Sequence, residues 1–208
     1  MDTVREIGRR RVGAILRTAD REVARRAMQA AVTGGFRMVE FTLTIPGALD
    51  LVGEFARDEE LLVGAGTVLT PDQARAAVRA GARFLVSPVV DPAVIRTAVE
   101  LDVPCVPGAF TPTEMMAATS AGADIVKLFP APADVAATVS QLRGPFPELR
   151  IYPTAGVTPE NFEAVLAAGA FGVGFVTSLF SPADLAAGRF EAIEWRAAEI
   201  TTRLAAMG

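Results

Sequence analysis

One lysine sits inside an apolar run, Asp124-Ile125-Val126-Lys127-Leu128-Phe129-Pro130. Lys127 is the only lysine of the chain, and the other 19 of its 20 basic residues are arginine. Burial destabilises an ammonium and lowers its pKa, which leaves free amine near neutral pH. Such an amine can attack a ketone and form a Schiff base. Arginine cannot, because its guanidinium stays protonated. The plainer alternative is a lysine whose head reaches solvent at a strand end. That alternative fits less well in a chain that otherwise uses arginine for its cations.

A carboxylate is the second candidate. Met38-Val39-Glu40-Phe41-Thr42-Leu43-Thr44 puts Glu40, Thr42 and Thr44 on one face at period two. A carboxylate on an apolar strand costs free energy unless it is paired or hydrogen-bonded. Beside a lysine imine it can act as general base and acid, directly or through water. Glu40 can also be read as an ion-pair partner of Arg17 or Arg37. A third segment, Thr154-Ala155-Gly156-Val157-Thr158-Pro159, turns into a helix. Its amides suit an anion, although an ordinary turn has the same sequence pattern. Gly64-Ala65-Gly66-Thr67 permits close backbone approach to a ligand.

Composition removes competing chemistries. The chain has 208 residues, a formal net charge of −4 and no histidine. Ser-His-Asp machinery and His-ligated metal are therefore absent. Cys105 is the only cysteine, so neither an intrachain disulfide nor a Cys-rich zinc site is possible. The acidic balance argues against nucleic acid as a partner. Ala164 to Ala183 carries no charge, but its glycines and Ser181-Pro182 mark a helix end, a buried strand and a new helix start. The expectation is a cytoplasmic protein with no membrane partner.

These residues need elements to hold them. Gly34-Gly35, Gly81, Gly122 and Gly169 each follow an Ala-rich helical stretch and stop it. Thr70-Pro71, Asp91-Pro92, Thr111-Pro112, Thr158-Pro159 and Ser181-Pro182 each place a capping residue before proline and start a helix. Ile45-Pro46 starts another without the usual cap. Between them lie β-type runs at Val12–Leu16, Met38–Leu43, Leu61–Thr67, Phe84–Ser87, Cys105–Pro107, Ile125–Leu128, Ile151–Thr154 and Gly172–Thr177. A last helix runs from about Phe190 to Met207. Eight such units predict an α/β fold, a single (β/α)₈ TIM barrel over residues 1–208. The site then lies at the C-terminal strand ends, with Arg17, Glu40, Thr42, Thr44, Thr67, Ser87, Thr154 and Thr177, and Lys127 within its strand.

The motifs in order resemble a known family. They are Val39-Glu40-Phe41-Thr42, Gly64-Ala65-Gly66-Thr67-Val68-Leu69, Ser87-Pro88, Val106-Pro107-Gly108, Val126-Lys127-Leu128-Phe129-Pro130, Arg143-Gly144-Pro145-Phe146-Pro147 and Pro153-Thr154-Ala155-Gly156-Val157. They look like those of the 2-keto-3-deoxy-6-phosphogluconate aldolases, grouped with 4-hydroxy-2-oxoglutarate aldolases. The resemblance implies a class I aldolase that needs no metal and no cofactor, usually a homotrimer. It implies a 2-oxo acid substrate, with Lys127 as Schiff-base lysine and Glu40 as acid/base. Thr67 and Pro88 match residues around the pyruvate carboxylate, and Arg17 a basic position facing an anionic group. Thr154, Ala155, Gly156 and Thr177 fall in the phosphate-binding region.

Departures from the family pattern are also legible. Many members carry arginine four residues after the glutamate; here it is Thr44. Carboxylate binding then leans on Arg17, Thr67 and backbone amides. The usual Gly-Gly after the strand-seven threonine is Ala155-Gly156, and the usual Gly-Ser near strand eight is Val176-Thr177. Both add bulk where phosphate would touch backbone. Another reaction of the same lysine on a different oxo acid, and a barrel repurposed for binding, are the rival expectations.

Overall fold

The computed structural model describes residues 3–208. Its elements run α1 (Thr3–Arg10), β1 (Val12–Leu16), α2 (Arg21–Thr33), β2 (Met38–Thr42), α3 (Ala48–Phe55) and β3 (Leu62–Gly66). They continue with α4 (Pro71–Arg79), β4 (Phe84–Ser87), α5 (Pro92–Glu100), β5 (Cys105–Ala109), α6 (Pro112–Ser120) and β6 (Val126–Leu128). Last come α7 (Val135–Arg143), β7 (Ile151–Pro153), α8 (Phe162–Ala167), β8 (Val173–Phe175), α9 (Pro182–Ala187) and α10 (Phe190–Ala206). The strands are all parallel, in the order β7-β6-β5-β4-β3-β2-β1-β8. One isolated parallel bridge, Thr154 with Gly174, joins the two ends. The sheet is thus a nearly closed (β/α)₈ barrel, as the alternation of starts and stops predicts.

The helix signals act through their expected hydrogen bonds. Asp20 accepts from the Val23 amide, Thr70 from Gln73, and Asp91 from Ala93 and Val94. Thr111 and Glu114 form a reciprocal capping box. Gly35, Gly81, Gly122 and Gly169 have φ of 102°, 111°, 111° and 98°, a region that side chains disfavour.

Two starts differ from expectation. After Ile45-Pro46 the chain makes a turn through Gly47, at φ 70°, and α3 begins at Ala48. Thr158-Pro159 starts a turn rather than α8. The Asn161 side-chain oxygen Oδ1 accepts from the Thr158 amide, and its Nδ2 donates to the Gly156 carbonyl. That clamp spends the segment on shaping the loop. Strand ends also shift: β8 covers only Val173–Phe175, and β5 extends to Ala109. The uncharged run from Ala164 divides as expected, and among the described residues no helix is long and apolar enough to cross a membrane.

Side chains alternate between two apolar clusters. Val39, Phe41, Val63, Leu85 and Val126 face the helices. Met38, Leu62, Phe84, Val86, Val106, Ile125 and Tyr152 fill the barrel interior. Ile7, from the unanticipated α1, joins that inner cluster and plugs the barrel bottom. Glycines on inner faces make room for large neighbours. A Cβ at Gly64 would lie 2.2 Å from the Phe84 ring.

Glu6 anchors the plug. It is buried, and its two carboxylate oxygens each lie 2.5 Å from a guanidinium, Arg10 in its own helix and Arg83 before β4. Burial raises the carboxyl pKa, and the Arg10 and Arg83 hydrogen bonds more than offset it, so the net shift is downward from 4.5. A depressed carboxyl stabilises the fold above its unfolded pKa and loses that contribution as pH falls through the folded value. Glu6→Gln should therefore lower Tm near pH 7, by the equivalent of about 1–3 kcal/mol given the partly exposed arginines. Thermal unfolding of both proteins should converge as pH drops below about 4.5.

Candidate active site

Lys127 and Glu40 face each other from opposite walls. β6 and β2 are four strands apart in the sheet order. Both side chains point inward because they keep the parity of Ile125 and Met38, which lie in the inner cluster. Both are buried, at 7% and 4% exposure. Lys127 sits between Gly108 of β5 and Tyr152 of β7 in register. Glu40 sits between Ile15 of β1 and Gly64 of β3.

Burial dominates both titrations. It raises the Glu40 carboxyl to about 7, although Lys127 and Arg17 favour its ionised form. It lowers the Lys127 amine, against the attraction of Glu40 and with the repulsion of Arg17. The Lys127 Nζ also stands 4.7 Å from the centre of the Phe129 ring, which favours its cationic form. Near neutral pH the pocket thus holds an amine with reduced proton affinity and a carboxyl that can give or take a proton.

Local backbone prepares this geometry. A Cβ at Gly66 would fall 1.9 Å from Glu40 Oε1, so only glycine leaves the carboxyl its place. A Cβ at Gly108 would meet the Pro88 carbonyl oxygen at 2.5 Å. That clearance lets Pro88 lean over the strand next to Lys127. Thr67 follows Gly66 at φ 59°, a strained value for a β-branched residue that costs about 1–3 kcal/mol.

The other expected site residues separate into groups. Arg17 is exposed at the end of β1, near enough to act electrostatically on both Glu40 and Lys127. It does not form a contact ion pair with Glu40. Arg37 pairs with Glu60 at 3.7 Å instead, so the rim-pairing alternative for Glu40 is not what the chain adopts. Thr44 is exposed, and its hydroxyl is 2.8 Å from that of the buried Thr42. Thr154 is 2% exposed and borders the same small pocket as Glu40, and its hydroxyl has no hydrogen-bond partner among the described residues.

Ala155 and Gly156 take φ of 66° and 65°, and Gly156 packs on Ala131 after β6. Thr177 is exposed on the loop after β8. The Ser178 hydroxyl donates to the Val157 carbonyl at 2.7 Å and ties those two loops together. Ser87 is buried with the outward parity of Leu85, away from the pocket. Sequence reasoning passed over Phe129, Tyr152 and Ser178. Period two from Lys127 and Thr154 points to the first two; nothing local marks the third.

The raised Glu40 carboxyl gives a signed expectation. A carboxyl whose folded pKa lies above 4.5 supports the fold fully below that pH and withdraws support as pH rises through about 7. Glu40→Gln removes that withdrawal. Its stability relative to the parent should rise between about pH 5 and about pH 8, on the order of 3 kcal/mol. Urea unfolding at both pH values measures it, and an unchanged difference would contradict the buried, raised carboxyl.

Comparison with known proteins places this geometry. A family model described as aldolase, KDPG and KHG aldolase, matches residues 4–195. The KHG/KDPG aldolase of Escherichia coli (strain K12) is 38% identical over 141 residues, 67% of this chain and 66% of that protein. That match spans just under two thirds of the relative's own length. A probable 2-dehydro-3-deoxy-6-phosphogalactonate aldolase of Rhizobium meliloti (strain 1021) is 37% identical over 172 residues, 81% of each chain.

Among solved structures, the 2-keto-3-deoxy-6-phosphogluconate aldolase of Zymomonas mobilis with 3-phosphoglycerate superposes with a TM-score of 0.81. It is 28% identical, covering 96% of this chain and 95% of that one. The KDPG aldolase of Legionella pneumophila, with pyruvate captured at low pH as a covalent carbinolamine intermediate, gives a TM-score of 0.78. It is 26% identical over 91% of this chain and 93% of that one. By the family model, by sequence identity and by the barrel itself, this chain belongs to the KDPG and KHG aldolase family.

Proposed function

We propose that the protein is a class I aldolase that reversibly cleaves a 2-keto-3-deoxy sugar acid to pyruvate and an aldehyde. The preferred substrate in this reading is 2-keto-3-deoxy-6-phosphogluconate, which yields glyceraldehyde 3-phosphate. The observation that carries it is the buried Lys127 amine facing the buried Glu40 carboxyl across the barrel.

The Lys127 amine adds to the C2 carbonyl and gives a carbinolamine, which loses water to form an iminium. Glu40, directly or through a water, removes the C4 hydroxyl proton. The C3–C4 bond breaks, the aldehyde leaves, and its electron pair goes to the iminium as an enamine. The enamine C3 takes a proton, with Glu40 now the acid, and water hydrolyses the imine. Pyruvate and the free amine result. Covalent catalysis here divides one hard bond cleavage into several easier steps.

Arg17, Thr67 and Pro88 surround the pyruvate carboxylate in this reading, with Thr44 lending a hydroxyl where arginine is common. Thr154, with its unpaired buried hydroxyl, is placed to hold a substrate hydroxyl beside Glu40. Ala155, Gly156 and Thr177 line the phosphate end, and their bulk makes the phosphate preference looser than in Gly-Gly relatives. The likeness to a phosphogalactonate aldolase over 81% of the chain supports the C4 epimer as a second substrate.

Treatment with pyruvate and borohydride tests the amine. The expected product is a reduced pyruvyl adduct on Lys127, located by mass spectrometry and lost in Lys127→Met. A folded parent with no adduct would remove the reading. Parallel kcat/KM values on the gluconate and galactonate 6-phosphates, and on their unphosphorylated forms, assign the substrate. Equal values with and without phosphate would dismiss the phosphate preference.

Leu69, Val89, Phe110 and Met116 stand 42–48% exposed on neighbouring loops after β3, β4 and β5 and on α6. Large apolar side chains exposed on neighbouring loops fit an interface, and a homotrimer is the assembly proposed. Sedimentation should give three times the 21.8 kDa chain mass. A monomer at micromolar concentration would end that proposal.

A further inference from the structure

Tyr152 occupies space that three glycines leave open inside the barrel. A Cβ at Gly13 would lie 2.4 Å from its hydroxyl oxygen. One at Gly172 would lie 2.8 Å from its ring, and one at Gly174 would lie 3.2 Å away. The side chain leaves β7 and crosses the inner faces of β8 and β1. Its hydroxyl donates to the Val173 carbonyl at 2.9 Å. Ile7 and Met38 pack in the same inner cluster. Glu40 and Thr154 border the same small pocket as the ring.

We propose that Tyr152 is a positioning residue: its ring forms the floor of the catalytic pocket and keeps water from reaching Glu40 through the barrel interior. The inference rests on Glu40 being the acid/base group of the reaction proposed above. It assigns a task to a residue that the reaction steps proposed above do not use.

The glycines make the ring irreplaceable by local repacking. Gly13, Gly172 and Gly174 have no side chains that could collapse into its space, so truncation leaves a void. A void stays dry when its walls are apolar and fills when polar groups line it. This one would open beside the Glu40 carboxyl and the unpaired Thr154 hydroxyl, two ready partners for a water.

Hydration stabilises the carboxylate, and the Glu40 pKa falls toward the ordinary range. The other groups that act on Glu40 stay in place. They are Lys127 on β6 and Arg17 after β1, with the neutral Thr154 just after β7 bordering the same pocket. The Tyr152 phenol is itself held protonated by burial and by the nearby Glu40 charge, so it brings no charge of its own.

The test is the pH dependence of kcat/KM for cleavage of 2-keto-3-deoxy-6-phosphogluconate. It compares the parent with Tyr152→Ala, Tyr152→Leu and Tyr152→Phe, with Glu40→Gln as control. In the parent the rate should fall as pH drops through about 7. In Tyr152→Ala that acid limb should move down by about one to two pH units. Tyr152→Leu should move it part of the way, and Tyr152→Phe, which keeps the ring, should leave it in place.

A folded Ala or Leu variant with an unmoved limb overturns the proposal, and Leu alone decides if Ala does not fold. A Phe variant that shifts as far as Ala overturns it too, because the hydroxyl and not the ring would then be responsible. Persistence of the limb in Glu40→Gln instead shows that Glu40 is not the titrating base. That failure belongs to the functional assignment and is told apart from failure of the floor.

Discussion

An amine and a carboxyl group share one barrel interior without closing into a contact ion pair. A tight pair would hold both groups charged and lower the carboxyl. Here burial outweighs the attraction, so Glu40 rises to about 7 while Lys127 falls. A domain of this size has only about 5–15 kcal/mol of net stability. A penalty of a few kcal/mol at neutral pH is therefore a substantial share, and the surroundings must carry it.

They carry it by strict pairing of large and small side chains. Glycines at 64, 66 and 108 face Phe84, the Glu40 carboxyl and the Pro88 carbonyl. Each removes a Cβ where a neighbour has to pass. Below them α1 closes the barrel with Ile7 and fixes itself through Glu6 between two arginines. The closed bottom and the filled interior leave access to Lys127 and Glu40 from the C-terminal strand ends. The strained Thr67 stands at that end, next to Gly66.

Much of this was legible in the sequence, for physical reasons that differ by element. Proline after a capping residue and glycine after an Ala-rich stretch act within a few residues, so most helix ends fell where expected. Thr158-Pro159 misled because Asn161, three residues on, captures the turn through its side chain. Lys127 and Glu40 stood out because charge inside apolar strands is costly wherever the strand lies. Tyr152 did not stand out, since an aromatic residue in a strand is ordinary. Its meaning comes from Gly13, Gly172 and Gly174, which only the closed barrel brings to it. Ser178 and α1 escaped for the same reason: their partners are distant in sequence.

The barrel is a ring with one thin joint. Neighbouring strands elsewhere are laddered over two to five register pairs, whereas β7 and β8 share one bridge, Thr154–Gly174, with the Phe171 amide on the Ile151 carbonyl and the Tyr152 hydroxyl on the Val173 carbonyl beside it. Compliance in a closed ring concentrates where the fewest bonds must open. That joint is flanked by the loop carrying Ala155 and Gly156 and by the loop carrying Thr177. Breathing at the seam would widen this end of the pocket and leave the β2 and β6 walls in register. Any such opening must also release the Ser178–Val157 hydrogen bond that ties the two loops.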